Sequence, residues 1–288
     1  MDAERVPALR PLAGLEPVER PDDDLQAFIR RNAEELAAHE DGTRLGSDPE
    51  DLHKFRVATR RIRSLLRSTR SLVEDRDEAE GLRDELKWLA TLLGEVRDRD
   101  VLIAYLLGEL ETLEGAPLGA ILESIDAERE RARRALVEGL DSPRYRTITA
   151  RLKSPPALRE GKTLFDAAEG DYRRLRRTMR GLDEGSASEG LHRARIRVKR
   201  ARYAVEAADL DARFVGRAKD LQDVLGEHQD AVVAEQRIRE LLDRVHGTGR
   251  TAFAAGRLVE RQRARRVAAR KAWPGAWRRL EKAGKRIF

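Results

Sequence analysis

Two segments of this chain begin with a histidine and continue with the same order of cationic residues. His53 begins HKFRVATRRIRSLL and His192 begins HRARIRVKRARYAV, at an offset of 139 residues. In this alignment Arg56 matches Arg195, Arg60 matches Lys199, Arg61 matches Arg200 and Arg63 matches Arg202. A repeated unit constrains the fold more than any local propensity does, because each copy has to form the same elements.

Two further blocks recur in the same order. KWLATLLGEVRD at Lys87 matches KDLQDVLGEHQD at Lys219, and ERERARR at Glu128 matches ERQRARR at Glu260, both at an offset of 132. The offset therefore changes by seven residues, which is about two helical turns. Lengthening a helical hairpin by one turn on each arm keeps both of its faces. The chain is predicted to contain two homologous helical units.

The composition favours helices throughout. Charged residues make up 38% of the chain and aromatic residues 5%, while Ala, Leu, Glu and Arg dominate and β-branched residues are scarce. The segment KSPPALREGKT carries the Pro-Pro and the glycine that are typical of a linker. The prediction is an all-α protein with a disordered leader at 1–21, helical unit one at 22–152, a linker at 153–163 and helical unit two at 164–288.

Helices are predicted near 22–40, 49–75, 78–113, 117–140, 143–152, 164–182, 188–209, 212–244, 250–272 and 275–283. Asp48 with Pro49, and Ser188, are the expected N-terminal signals of the two histidine helices. Pro274 is expected to end the last long helix, because proline cannot continue the hydrogen-bond pattern. Each unit is predicted to pack as an antiparallel helical bundle.

The charge balance places limits on the partners. The 58 basic and 52 acidic residues leave a net charge of +6, so a polyanion site has to come from charge segregation. The chain has no cysteine, which excludes disulfides and thiolate metal sites. No apolar run approaches the roughly 18 residues of a membrane span, and the leader lacks the apolar core of a signal peptide. A soluble, cytoplasmic protein without a membrane partner is expected.

Both histidine helices are amphipathic, with polar faces of a single charge sign. At about 100° per residue, the first polar stripe spans about 80° and contains His53, Arg56, Arg60, Arg63 and Arg67. The opposite, apolar side contains Ala58, Ile62, Leu65, Leu66 and Thr69. In the second helix the stripe contains His192, Arg195, Lys199 and Arg202, with Glu206 at the position of Arg67, and the apolar side contains Ala201, Ala204, Val205 and Ala208.

A stripe of one charge sign destabilises its helix slightly, because like charges at i,i+3 and i,i+4 repel. A bound anion would offset this repulsion, and a guanidinium group can donate two hydrogen bonds to one phosphate. Two such stripes at repeat-related positions indicate a phosphate-binding surface. The segment Arg261–Lys271, with six cations and no acid, is a further candidate.

The pattern H-x-x-R-x-x-x-[RK]-R-x-R followed by L-x-x-x-L-G-x-x-x-D, present twice, resembles the CHAD domain, the conserved histidine α-helical domain. The resemblance covers nearly the whole chain from about residue 22. It implies two four-helix bundles related by a pseudo-twofold axis, with a basic central surface or pore. It also implies binding of inorganic polyphosphate and, in several bacteria, association with polyphosphate granules.

Carried over to this chain, the polyphosphate-binding candidates are His53, Arg56, Arg60, Arg63, His192, Arg195, Lys199 and Arg202, with Lys87 and Lys219 from the second block. Gln229 departs from the family's LGxxRD pattern, which unit one keeps with Arg97. CHAD domains are sometimes fused to CYTH enzymes, whose E-x-E-x-K motif is missing from this sequence. The resemblance therefore supports binding and gives no support for hydrolysis, a catalytic residue or a cofactor.

Three other function classes stay open, and one of them is a helical interaction protein. A metal-dependent phosphohydrolase would need histidine and carboxylate ligands close together. The chain has no H-E-x-x-H motif or His-Asp dyad. Its histidines are His39, His53, His192, His228 and His246. Asp98 and Asp230 are expected to orient cationic side chains. A non-specific nucleic-acid-binding protein is the main rival, although few aromatic residues are available for stacking. The stripe histidines predict tighter polyphosphate binding near pH 6 than near pH 8, because anions favour imidazolium.

Overall fold

The computed structural model describes residues 25–112, 119–244 and 249–288, which form ten α-helices. These are α1 (Leu25–Ala38), α2 (Glu40–Leu45), α3 (Pro49–Ser68), α4 (Arg76–Thr112), α5 (Gly119–Asp141), α6 (Pro143–Lys153), α7 (Leu164–Arg180), α8 (Ser188–Ala207), α9 (Ala212–Arg244) and α10 (Gly249–Gly284). Within these ranges the only β-structure is one isolated bridge between Val73 and Leu158. The predicted all-α class is confirmed. The predicted leader at 1–21 and His246 lie outside the described residues.

The two histidine helices begin where the sequence predicts, but with different caps. The Asp48 side chain accepts a hydrogen bond from the backbone N–H of Glu50 at 2.8 Å, and Pro49 occupies the first helical turn. Ser188 is instead the first residue of α8, and the cap position belongs to Ala187, whose side chain cannot accept. Only the first helix therefore has the side-chain cap that its sequence predicts.

The predicted end of the last long helix at Pro274 is wrong. α10 continues through this proline to Gly284. Trp273, Ala276 and Leu280 are buried in the core on both sides of it. Proline costs a helix interior about 3 kcal/mol, and the burial of apolar residues in the following turns offsets this cost.

The first histidine helix ends earlier than predicted, at Ser68 rather than near residue 75. The segment after it pairs with the predicted linker 153–163. The backbone N–H of Glu74 donates to the carbonyl of Ala157 at 3.0 Å, and that of Arg159 donates to the carbonyl of Leu72 at 2.8 Å. These backbone bonds replace the helical pattern, which explains why the helix stops.

Buried apolar residues form three clusters. The first joins α1, α3, α4, α5 and α6, and it also takes in Leu164 of α7 and Ala207 of α8. The second joins α7, α8, α9 and α10. The third joins the far ends of the two long hairpins, with Leu106 and Ile121 against Ile238 and Leu258. The first and third clusters contain residues from both sides of the predicted linker. The predicted division into two units and their pseudo-twofold relation therefore stay predictions.

The apolar sides predicted for the two histidine helices are confirmed. Every member is at most 5% exposed. α3 and α8 also pack against each other. Among the described helices, none combines the length and apolar character that a bilayer crossing requires.

Candidate anion-binding site

Direct contacts between α3 and α8 bring the two cationic stripes together. The Nε atom of Arg60 donates to the hydroxyl of Tyr203 at 3.0 Å, and the Arg61 guanidinium lies 2.7 Å from the Glu206 carboxylate. Tyr203 is only 1% exposed. Neither partner follows from a motif, because each lies outside the cationic pattern of its own helix.

Lys199 lies where cations of both helices converge. Burial, together with Arg195 on its own helix and Arg60 and Arg56 on α3, lowers the pKa of its amine to about 7, while Asp230 opposes this shift. A lysine amine ordinarily titrates near pH 10.5. The electrostatic effect of two α3 arginines on an α8 lysine indicates that the two stripes lie within electrostatic range of each other.

One aspartate lies beside each stripe, at repeat-related positions. Asp98 of α4 is 3.6 Å from the Arg56 guanidinium, and Asp230 of α9 is 3.9 Å from that of Arg195. Burial raises the pKa of Asp98, and Asp230 adds to this increase, so the two carboxylates are within electrostatic range of each other. Each carboxylate is close enough to its arginine to orient the guanidinium group.

The two stripe histidines have different surroundings. Burial, followed by the charges of Arg97, Arg60 and Arg56, lowers the pKa of His53. His192 is exposed, and its Nδ1 lies 3.1 Å from Oε1 of Gln229. Gln229 therefore provides a hydrogen-bond acceptor where unit one has the cation Arg97.

The remaining candidates are Arg63, Arg202, Lys87 and Lys219. Arg63 is half-buried, and burial with the charges of Arg56 and Arg60 lowers its pKa. The Arg202 guanidinium lies 4.6 Å from the centre of the Tyr203 ring, within cation–π range. Lys87 and Lys219 are both exposed. Each lies about three turns before the aspartate of its own helix and on the same face.

Arginines of the segment Arg261–Lys271 form closer ion pairs than the stripe arginines form with Asp98 and Asp230. Arg265 lies 2.6 Å from Glu227, and Arg266 and Arg263 contact Glu235. These ion pairs reduce the positive charge that the segment can present to an external anion.

His228 is 1% exposed and lies near Arg266 and Arg270. Burial and these two cations lower its pKa to about 4. His39 is elsewhere, 2.8 Å from Asp51. The described parts of the chain contain no group of three or more His, Asp or Glu side chains arranged to hold one metal ion.

The chain is similar to known sequences over most of its length. The family model of the CHAD domain matches residues 27–239. Two relatives from Mycobacterium tuberculosis, uncharacterized protein MT2285 of strain CDC 1551 and uncharacterized protein Rv2226 of strain H37Rv, are each 30% identical over 291 aligned positions. Each alignment covers 91% of this chain and 54% of the relative. The chain thus spans about half the length of the curated relatives it matches.

Two solved structures have the same arrangement of helices. PptA from Streptomyces chartreusis superposes with a TM-score of 0.75 at 25% identity, covering 88% of this chain and 98% of that one. The CHAD domain from the plant Ricinus communis superposes with a TM-score of 0.67 at 27% identity, covering 88% of this chain and 92% of that one. The chain belongs to the CHAD domain family.

Proposed function

We propose that this protein binds inorganic polyphosphate along the cationic stripes of α3 and α8. The observation that carries the proposal is the proximity of the two stripes: α3 and α8 pack against each other, and burial, with Arg195 on α8 and Arg60 and Arg56 on α3, lowers the pKa of Lys199. A surface that concentrates like charges in this way is stabilised by a polyanion. Membership of the CHAD family supports the same ligand.

The proposed mechanism is multivalent electrostatic capture. An exposed contact between one arginine and one phosphate contributes up to about 1 kcal/mol. Contacts along a linear polymer reinforce each other, because the first raises the effective concentration for the next and because bound counterions are released. Affinity should therefore rise steeply with chain length, up to the span of the stripes, and fall steeply with salt. We propose binding without hydrolysis, in the cytoplasm or at polyphosphate granules.

A charge-reversal variant tests the location of the site. Its four substitutions are Arg56→Glu, Arg60→Glu, Arg195→Glu and Lys199→Glu, and calorimetry with long-chain polyphosphate should show no binding while circular dichroism shows unchanged helicity. A matched control with the same change in net charge reverses four exposed cations elsewhere, Lys153, Lys162, Arg278 and Lys282. The control should keep most of the affinity. Retained binding in the stripe variant would place the site elsewhere.

Competition with duplex DNA tests the rival class of ligand. The stripes carry no aromatic platform for bases, so DNA offers only its phosphates, at a lower linear density than polyphosphate. At physiological salt, DNA at an equal phosphate concentration should not displace polyphosphate. Displacement by DNA would support non-specific nucleic-acid binding instead.

A further inference from the structure

A second cationic cavity lies at the C-terminal end of α3. It has a volume of about 390 Å³ and is lined by residues of α3, α4, α7 and α8 and of the turn after α3. Seven of its ten lining residues are arginines. This volume is near the lower end of the range of about 300–1,000 Å³ for ligand pockets, so the cavity suits a compact ligand better than a long polymer.

The cavity shares Arg67 with the stripe of α3, but its other lining residues lie outside both stripes. Arg197 and Arg200, which line it, lie about 200° and 140° around α8 from Arg195. Its wall on α7 includes Asp171, which is 3% exposed and accepts a hydrogen bond from the hydroxyl of Ser68. α7 contributes no residue to either stripe.

Four of the seven arginines have carboxylate partners. Arg76 lies 2.7 Å from Glu80, which also pairs with Arg70. In addition, Arg83 lies 2.8 Å from Asp84, and Arg174 lies 3.0 Å from Asp171. These pairs hold the rim and the wall of the cavity in place.

The other three arginines, Arg67, Arg197 and Arg200, have no hydrogen bond or ion pair from their guanidinium groups to any described residue. Burial, followed by the charges of Arg67 and Arg197, lowers the pKa of Arg200 to about 10, against an opposing effect of Asp171. Three converging, unpaired guanidinium groups repel one another in the free protein. A small anion with several negative charges would remove this repulsion and satisfy their donors.

We infer that this cavity binds a compact phosphate oxyanion, such as tripolyphosphate, through Arg67, Arg197 and Arg200. The planar guanidinium fork matches phosphate oxygens, and three forks around one small volume favour a ligand with several phosphate charges. The inference does not depend on the proposed function, because Arg197 and Arg200 lie outside the stripes and only Arg67 belongs to both. The cavity would then hold a short phosphate chain at the end of the α3 stripe.

Calorimetry of the full chain with sodium tripolyphosphate tests this site. The cavity variant Arg197→Gln/Arg200→Gln should lose about tenfold or more in affinity, because each charged hydrogen bond contributes roughly a factor of ten. The matched stripe variant Arg60→Gln/Arg195→Gln removes the same charge and should lose less than about threefold. Equal losses in the two variants, or an unchanged affinity in the cavity variant, would overturn the inference.

The melting temperature controls for folding. The cavity variant removes two repelling charges, so without ligand it should melt no lower than the parent. Tripolyphosphate should raise the melting temperature of the parent and of the stripe variant, but not that of the cavity variant. The more conservative Arg200→Lys keeps the charge and loses the planar guanidinium fork. Its rise in melting temperature with tripolyphosphate should lie between those of the parent and the cavity variant. A parent-like ligand response in both cavity variants would refute the site. Because the probe is tripolyphosphate, failure of long-chain binding would count against the proposed function alone.

Discussion

Arginine at position 199 should keep polyphosphate binding strong and remove most of its pH dependence near neutral pH. Burial and the cations Arg195, Arg60 and Arg56 lower the pKa of Lys199 to about 7 in the free protein, with Asp230 opposing them. Bound phosphates favour the charged amine and raise this pKa again. Polyphosphate binding by the parent therefore takes up a proton at Lys199. Arginine is charged throughout this pH range, so Lys199→Arg takes up none at this position.

The size of the effect follows from the pKa of about 7. At pH 8 about nine in ten free molecules carry a neutral Lys199, so binding takes up about 0.9 proton there, against about 0.5 at pH 7 and about 0.1 at pH 6. The pKa of Lys199 is lower in the free state than in the bound state. The affinity for polyphosphate therefore falls as pH rises. Near pH 8 an uptake of about 0.9 proton weakens binding about eightfold per pH unit.

Calorimetry in two buffers of different ionisation enthalpy measures this uptake directly. At pH 8 the binding enthalpy of the parent should depend on the buffer, and that of Lys199→Arg should depend on it much less. Lys219→Arg makes the same substitution at an exposed candidate lysine and should behave as the parent does. An enthalpy independent of buffer in the parent, or equal proton uptake in the parent and Lys199→Arg, would refute the electrostatic picture of the stripes.

Two other substitutions probe the histidines and the helix contact. Burial and nearby cations lower the pKa of His53, and bound phosphate, which favours the charged imidazole, should raise it. His53→Gln/His192→Gln should therefore flatten the gain in affinity between pH 7 and pH 6, measured by calorimetry. A gain equal to the parent's would exclude histidine protonation. Glu206→Gln removes the half-buried ion pair with Arg61 between α3 and α8. The loss of about 1 kcal/mol of folding free energy should lower the melting temperature by about 2–4 °C. A melting temperature equal to the parent's would mean that this pair does not stabilise the helix contact.

Local periodicity was sufficient to predict the faces of the histidine helices. The position of a side chain around a helix depends only on its place in the sequence, so the burial of Ile62, Leu65 and Val205 followed from their spacing. The Asp48 cap was predictable for the same reason, since its partner is the backbone N–H two residues away.

Features that depend on distant contacts were not predictable. The end of α3 depends on backbone bonds to the predicted linker, and the passage of α10 through Pro274 depends on core packing around it. The repeat aligns Arg61 with Arg200, yet Arg61 pairs with Glu206 while Arg200 lines the arginine-rich cavity. Equivalent positions in a sequence repeat acquire different surroundings when the two copies pack against each other.

The carboxylates of Asp98 and Asp230, at 3.6 and 3.9 Å from their arginines, have a consequence for selectivity among anions. Each carboxylate competes with phosphate for its arginine. A phosphate that approaches Arg56 or Arg195 has to displace a carboxylate that the fold holds nearby at high effective concentration. A single orthophosphate makes too few contacts to do so, whereas a polymer displaces both carboxylates in one binding event. In the proposed binding mode, acidic residues inside a basic surface thus set a minimum chain length and keep the stripes unoccupied amid the small anions of the cell.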